Sequence, residues 1–404
     1  MLKMPNLLST SKLHLWFPNI FEVKGGIQVY SAFLLQALQR AYPQAQYDVF
    51  LKHDVKTSSD ISYLPHTRFH LTGKSNSKLS TLCFASEIII QGLLQRPDLV
   101  ISTHINFAQA AHCLKRLNGT PYWVVAHGID AWNITNPRLQ AALRAADRIL
   151  CVSSYTRSRL LSEQNLDPDK VLLLFNTFDP NRFQIASKPT HLLERYKLKP
   201  EQRVILTVTR LSSAEGYKGY DQILQALPKI RQQVPDVHYI LVGKGDDRPR
   251  IEQLIAQLNL QDNVTLAGFV PDKELCDHYN LCDVFAMPSQ SEGFGIVYLE
   301  ALACGKPILA GNQDGSVDPL CHGELGALVN PTDVDAISET LIQTLQGNYP
   351  NPLIYQPSSL RQKVIAKFGF EYFQQVVGEL IQNHAPVTNL SYQRSFISLA
   401  REKY

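Results

Sequence analysis

A chain of 404 residues exceeds what one ordinary hydrophobic core holds, so two domains of roughly 150–200 residues each are expected. A composition of 45% hydrophobic and 19% charged residues excludes a disordered chain, and a formal net charge of only +3 provides no field for nucleic acid. The opening stretch, MLKMPNLLSTSKLHLWF, lacks a signal peptide's apolar core and cleavage site, and no run reaches the ~18 apolar residues of a membrane span.

Strand patterns occur at LHLWF (13–17), YDVFL (47–51), DLVIST (98–103), YWVVAH (122–127), RILCVS (148–153) and VLLLFN (171–176). Helical patterns lie between them, at 29–42, 107–117 and 156–164. Continuous apolar strands alternating with helices predict a parallel sheet covered on both faces. The polar segment 178–203 carries Pro180 and Pro189 and reads as a linker. The alternation restarts at VILTVTR (204–210), VHYILVG (237–243), NVTLAG (263–268), VFAMPS (284–289), PILAG (307–311) and GALVN (326–330). Helices fit at 220–233, 248–258, 272–281, 295–304 and 333–346, and an amphipathic helix closes the chain at 368–384. The expectation is an α/β protein of two doubly wound domains, 1–185 and 186–367. The C-terminal segment 368–404 either ends the second domain or crosses back to brace the first. The cysteines at 83, 113, 151, 276, 282, 304 and 321 are odd in number and scattered, with no CxxC pair. They read as reduced, mostly core residues of a cytoplasmic protein.

In open parallel sheets ligands bind beyond the carboxyl ends of strands, where glycine-rich turns open helices. Three such turns stand out. Gly25-Gly26 opens the helix after the first strand, where N–H groups could approach an anion, or where the pair forms a plain turn. Arg210 ends a strand and Lys218-Gly219 precede the next helix, a pair of cations suited to a diphosphate or simply solvated in a loop. Third, SQSEGFGIVYLEALACGKPILAG sets Glu292 and Glu300 eight residues apart around Gly293-Phe294-Gly295. With a helix beginning near Phe294, Glu300 falls five or six residues in, roughly 8 Å along the axis. One carboxylate can take the vicinal hydroxyls of a sugar, the other those of a ribose, and the glycine N–H groups a diphosphate between them. That describes a nucleotide sugar. His127, in WVVAHGIDAW, ends a buried strand and either satisfies a structural hydrogen bond or faces the cleft. Gly243-Lys244-Gly245-Asp246 is a strand-end turn without the GK[ST] of a P-loop.

This constellation resembles retaining glycosyltransferases of the GT-B fold, family 4. Glu292-(seven residues)-Glu300, within EGFG…LEALACGKPI, matches the family's E-x7-E motif. Arg210, Lys218-Gly219, Gly25-Gly26 and His127-Gly128 match its phosphate-binding, glycine-loop and cleft positions, as do VGKGDDRPRIEQLI and NVTLAGFVPDKEL in order and spacing. The resemblance covers nearly the whole chain and is weakest over 50–97. It implies that Glu292 holds donor-sugar hydroxyls, and that Gly293, Phe294 and Gly295 present N–H groups to sugar and phosphates. Glu300 would bind the ribose, and Arg210 and Lys218 would neutralise the leaving diphosphate. Gly25 and Gly26 would touch the diphosphate from the other domain, His127 would contact the donor sugar, and the Val270 backbone would meet the base. The loop from Arg210 to Lys218 departs from many relatives in its length and in carrying Glu215. With two fixed cations at the diphosphate, no metal or other cofactor is expected. Asp246-Asp247, followed by Arg-Pro-Arg, fits a charged helix start better than a metal site.

The expected partners are a nucleoside diphosphate sugar and a saccharide or lipid-linked acceptor, with no nucleic acid. Segment 77–96 is apolar around much of its length, with Lys74 and Lys78 beside it, and reads as a core helix or as a membrane-surface helix. Peripheral contact with the inner membrane face therefore stays open. The competing classes are a sucrose- or trehalose-type synthase acting on a sugar phosphate, a dinucleotide oxidoreductase and a silent sugar-nucleotide binder. No GxGxxG with a following acid supports the oxidoreductase.

Overall fold

The computed structural model describes residues 11–22, 25–57, 66–73 and 77–382. The opening ten residues, Lys74 and residues 383–404 of the C-terminal segment lie outside them.

Two parallel sheets follow one another. The first contains β1 (Lys12–Phe17), β2 (Gln46–Leu51), β3 (Thr67–Leu71), β4 (Leu99–Ser102), β5 (Tyr122–Ala126), β6 (Arg148–Cys151) and β7 (Val171–Leu173), in the order β3-β2-β1-β4-β5-β6-β7. The second contains β8 (Val204–Val208), β9 (His238–Val242), β10 (Val264–Gly268), β11 (Val284–Met287), β12 (Ile308–Gly311) and β13 (Ala327–Val329), in the order β10-β9-β8-β11-β12-β13. Each order reverses once, between β1 and β4 and between β8 and β11, which opens a crevice at the strand carboxyl ends.

The helices of the first domain are α1 (Gly26–Ala41), α2 (Ser77–Gln95), α3 (Ala108–Asn118), α4 (Pro137–Ala145) and α5 (Ser154–Glu163). Beyond it follow α6 (Thr190–Tyr196), α7 (Tyr220–Gln233), α8 (Arg248–Gln257), α9 (Asp272–Leu281), α10 (Ile296–Ala303), α11 (Val334–Gln346), α12 (Pro357–Phe368) and α13 (Phe370–Gln382). Strands such as YWVVA and HYILV are buried along their whole length because helices cover both faces.

Several elements depart from the sequence expectation. β3, TRFHL, was not expected: as the half-buried edge strand it keeps polar residues that blur the apolar run. α4, α6 and α12 were also not expected, α6 lying inside the segment read as a linker. Cys83 and Cys113 are exposed and not in the core, whereas Cys151, Cys282 and Cys304 are buried, and all seven cysteines are free. α2 packs one face against the core and exposes apolar residues on another. Phe84 and Ile88 pack onto the sheet, while Leu82, Ile90, Leu93 and Leu94 face solvent. Among the described residues no helix is long and apolar enough to cross a membrane.

α13 packs against α1 of the first domain: the Tyr42 hydroxyl donates to the Gly378 carbonyl at 2.8 Å, and the Arg40 guanidinium sits 4.7 Å over the Phe370 ring. The chain thus returns to the first domain after building the second. Where it does so, the two crossing segments touch. The Thr177 hydroxyl donates to the Phe368 carbonyl at 2.8 Å, and Phe178 forms a parallel bridge with Gly369.

Candidate functional site

The carboxyl ends of β8 and β11 carry the central charged pair. After β8, residues Ser213–Lys218 form a 3-10 turn, and Gly219 takes a left-handed conformation (φ 84°) before α7. A Cβ at Gly219 would lie 2.3 Å from the Pro288 carbonyl oxygen, so only glycine lets this loop lie against the end of β11. Gln290 N–H donates to the Tyr217 carbonyl at 2.9 Å and fixes the register between the two loops. Lys218 Nζ consequently reaches Glu292 Oε2 at 2.5 Å, with both side chains mostly buried. Burial opposes the charge on Lys218, but Glu292, Tyr217 and Glu215 together outweigh it, and the ammonium is held above its ordinary value.

Glu292 is itself fixed. Its N–H donates to Asp314 Oδ2 at 2.6 Å, and its carbonyl accepts from Gly315 N–H at 2.9 Å. Burial pushes the Asp314 carboxyl up to about 6. The helix that follows starts later than expected, at Ile296, with Gly295 in the left-handed region (φ 89°) as its cap. Glu300 is therefore the fifth helical residue, and it accepts from the Tyr279 hydroxyl at 2.6 Å. Burial, only partly offset by that bond and by Arg182, raises its carboxyl to about 7. The Phe294 side chain is buried, its ring 5.8 Å from Phe175 and 5.7 Å from Phe368, so only its backbone can serve a ligand.

His127 and Gly128 follow β5 in the other domain and meet this loop directly. A Cβ on Gly293 would lie 1.9 Å from the His127 carbonyl oxygen and 3.4 Å from Gly128 Cα. His127 Nε2 donates to the Thr103 carbonyl at 3.0 Å, and its ring stands edge-on to Tyr30 at 4.9 Å. Burial lowers its pKa to about 3, so it is neutral, with Nδ1 as the acceptor nitrogen. Asp130 Oδ1 accepts from His127 N–H at 3.0 Å, and burial pushes its carboxyl up to about 7. A second contact between domains lies nearby. Asp318 is buried and accepts from Ser154 N–H at 2.7 Å and from the Ser154 hydroxyl at 2.8 Å, at the first turn of α5.

The remaining expected residues occupy the rim. Arg210 is exposed and paired with Glu215, apart from the Lys218–Glu292 pair. Tyr217 lies between these charges, with Lys218 Nζ 5.3 Å from its ring. Gly25 caps α1, and a Cβ at Gly26 would meet nothing within 4 Å, so packing alone does not demand glycine there. Val270 follows β10 with its side chain buried, next to the exposed Phe269, over whose ring Lys244 Nζ sits at 5.0 Å. Asp246 is engaged by Ser213, and Asp247, at the start of α8, by Tyr220 and Arg250. Tyr217, Tyr279, Asp314 and Asp318 were not singled out from sequence, because each acts through contacts distant along the chain.

The described residues thus bring together His127, Lys218, Glu292 and Gly293 at the carboxyl ends of strands from two domains, with Glu300 further along in α10 against Tyr279. The model of Glycosyltransferase Family 4 matches residues 24–182, and that of Glycosyl transferases group 1 matches residues 191–359. A GDP-mannose-dependent alpha-(1-6)-phosphatidylinositol monomannoside mannosyltransferase of Mycolicibacterium smegmatis is 36% identical over 228 residues, 52% of this chain and 57% of that protein. A mannosylfructose-phosphate synthase of Agrobacterium fabrum is 24% identical over 50% of this chain and 45% of its own length. The chain therefore aligns with about half the length of these relatives. A solved sucrose-phosphate synthase from Thermosynechococcus elongatus superposes with a TM-score of 0.75 at 20% identity, covering 92% of this chain and 98% of its own, a likeness of fold. With one family model on each sheet-bearing half and the paired parallel sheets between which the motif residues meet, the chain belongs to the family 4 (group 1) glycosyltransferases of the GT-B fold.

Proposed function

We propose that the chain transfers a hexosyl unit from a nucleoside diphosphate sugar to a saccharide or lipid-linked saccharide, with retention at the anomeric carbon and without a metal. The observation that carries this reading is the Lys218–Glu292 pair set against the His127–Gly128 turn of the other domain. Breaking a glycosyl–phosphate bond places positive charge on the sugar and negative charge on the leaving diphosphate. Lys218, moving from Glu292 to the phosphate, stabilises that charge, and Glu292, released, takes hydroxyls of the donor sugar. Arg210 joins by exchanging Glu215 for phosphate. The N–H groups of Gly293, Phe294 and Gly295 face the sugar and phosphates at the head of α10, and Gly25 and Gly26 approach the diphosphate from α1. Neutral His127 orients a sugar hydroxyl through Nδ1 and carries no charge of its own. Glu300 binds the ribose, and the Val270 backbone meets the base. In this scheme the acceptor attacks the face the phosphate leaves, and the phosphate takes its proton.

The M. smegmatis relative's name makes GDP-mannose the first donor to test, with UDP-sugars next. The exposed row Leu82, Ile90 and Leu94 on α2 supports an acceptor on a lipid carrier and a cytoplasmic enzyme resting on the membrane. The Agrobacterium relative supports a second reading, in which the acceptor is a sugar phosphate. The test is a thermal-shift titration with GDP, UDP, ADP and NAD in EDTA. Stabilisation by one nucleoside diphosphate is expected. Stabilisation by NAD alone, or only once metal is restored, contradicts the proposal. Turnover of the matching donor with lipid-linked saccharide against sugar phosphate then separates the two acceptors.

Glu300 gives the site a pH dependence. Its raised pKa means that, in the free protein, the proton's contribution to stability is present below the ordinary carboxyl range and lost as pH rises through about 7. Ribose hydroxyls donate to the ionised form, so donor binding releases that proton. Affinity for a nucleotide sugar, whose diphosphate does not titrate here, should rise several-fold between about pH 6 and about pH 8. Calorimetry with Glu300→Gln should give weaker binding without this slope, and a slope kept in the variant assigns it to another group.

A further inference from the structure

Two cysteines stand behind the Tyr279–Glu300 pair on the same two helices. Cys276 lies on α9, three residues before Tyr279. Cys304 ends α10, four residues after Glu300, and its N–H donates to the Glu300 carbonyl at 3.2 Å. Their sulfurs are 3.9 Å apart. Cys304 is buried, whereas Cys276 is partly exposed and borders the segment that joins the domains. Three donors converge on Cys276 Sγ: Gln184 N–H at 3.4 Å, Asn280 Nδ2 at 3.5 Å and the Cys304 thiol. The neutral thiol donates a hydrogen bond to the Gln184 carbonyl at 3.7 Å. The bond from Cys304 draws the Cys276 thiol down to about 6, against burial, with help from Gln184 N–H and the Arg361 charge. A partly accessible thiolate next to a buried thiol is the arrangement of an attacking and a resolving cysteine.

We propose that Cys276 and Cys304 are a modification site, forming a reversible disulfide with a disulfide oxidant such as oxidised glutathione, and that this bond weakens nucleotide binding. The Cys276 thiolate attacks one sulfur of oxidised glutathione, giving a mixed disulfide and one glutathione thiolate. Cys304 then attacks Cys276 Sγ, forming the Cys276–Cys304 bond and expelling the second glutathione, which takes the Cys304 proton. Two protein thiols are oxidised and one glutathione disulfide is reduced. A disulfide needs its sulfurs about 2.05 Å apart, so they must approach by nearly 2 Å. The end of α10 is pulled toward α9, and Glu300, one turn back, shifts against the Tyr279 hydroxyl. This effect rests on the reading of Glu300 as the ribose ligand.

The test oxidises the full chain with oxidised glutathione, quenches by alkylation and maps cross-linked peptides by mass, alongside calorimetry with GDP and UDP. The expected result is a Cys276–Cys304 cross-link reversed by dithiothreitol, with nucleotide affinity lower by about tenfold, the size of one hydrogen bond to a charged group. Cys304→Ser should stop at glutathione on Cys276, and Cys276→Ser should bind nucleotide equally before and after oxidation. No cross-link between these two residues, or a cross-link that leaves affinity unchanged, overturns the proposal. A reduced protein that binds no nucleotide overturns the donor-site reading and the regulatory half with it, while the mass map still decides whether the bond forms.

Discussion

Lys218→Ala is expected to lower kcat by about 10²- to 10³-fold at saturating donor, the range seen when one preorganised donor is removed from a developing anion. The ammonium is poised by its pairing with Glu292 at 2.5 Å and is kept charged by it. The proposed reaction moves that charge onto the diphosphate as the glycosyl bond breaks, so the loss falls on turnover more than on KM. The variant also leaves the Glu292 carboxylate without its cation in a mostly buried position. A stability loss of about 1–3 kcal/mol should accompany the kinetic one and is read from a melting curve. A kcat loss under about threefold, well short of one lost donor, would mean that the 213–218 turn holds Lys218 off the phosphate.

Gly293→Ala is expected to give a folded protein with turnover lower by about 10²-fold, the cost of displacing reacting groups by roughly 1 Å. The added methyl would sit 1.9 Å from the His127 carbonyl oxygen, with Gly128 Cα at 3.4 Å. Both obstacles are backbone, so no side chain can turn away, and only the approach of the two domains can yield. Gly128→Ala meets the same barrier from the other side, 2.8 Å from Gly293 Cα, and adds strain at φ 132°. Because one contact is at stake, the double variant should be little worse than the worse single variant. Additive losses, or wild-type turnover in Gly293→Ala, would show that catalysis does not use this contact.

Much of the fold is legible because parallel strands are buried on both faces and write themselves as unbroken apolar runs, as in β5 and β9. Elements that escape have weaker patterns: β3 is a half-buried edge with Arg68 and His70, and α4 and α6 are short and polar. Glycine corners and the two glutamates are legible because they lie within one strand–turn–helix unit. The partners that hold them are not. Asp314 fixes Glu292 from 22 residues away, and Asp318 reaches Ser154 across 164. Asp314 is locally only the cap of the Gly315–Val317 turn, and nothing near it in the chain announces its distant bond to Glu292. Glu215 is visible in the sequence beside Arg210, but that it claims the guanidinium is a property of the folded loop.

The return of the chain at Phe368–Gly369, bonded to Thr177 and Phe178, bears on how the protein can be cut and how it can move. A body tied to its neighbour by one strand can swivel in any direction; tied by two strands laid side by side, it swings like a door on a paired strap. Any swing of one half against the other is thereby hinged at this pair of crossings. The return also ties the halves together. A fragment ending before α12 would lose the strap and, with α13, the cover over α1, so a simple N-terminal piece is expected to be less stable than the whole chain. A circular permutant that keeps both crossings should retain the swing.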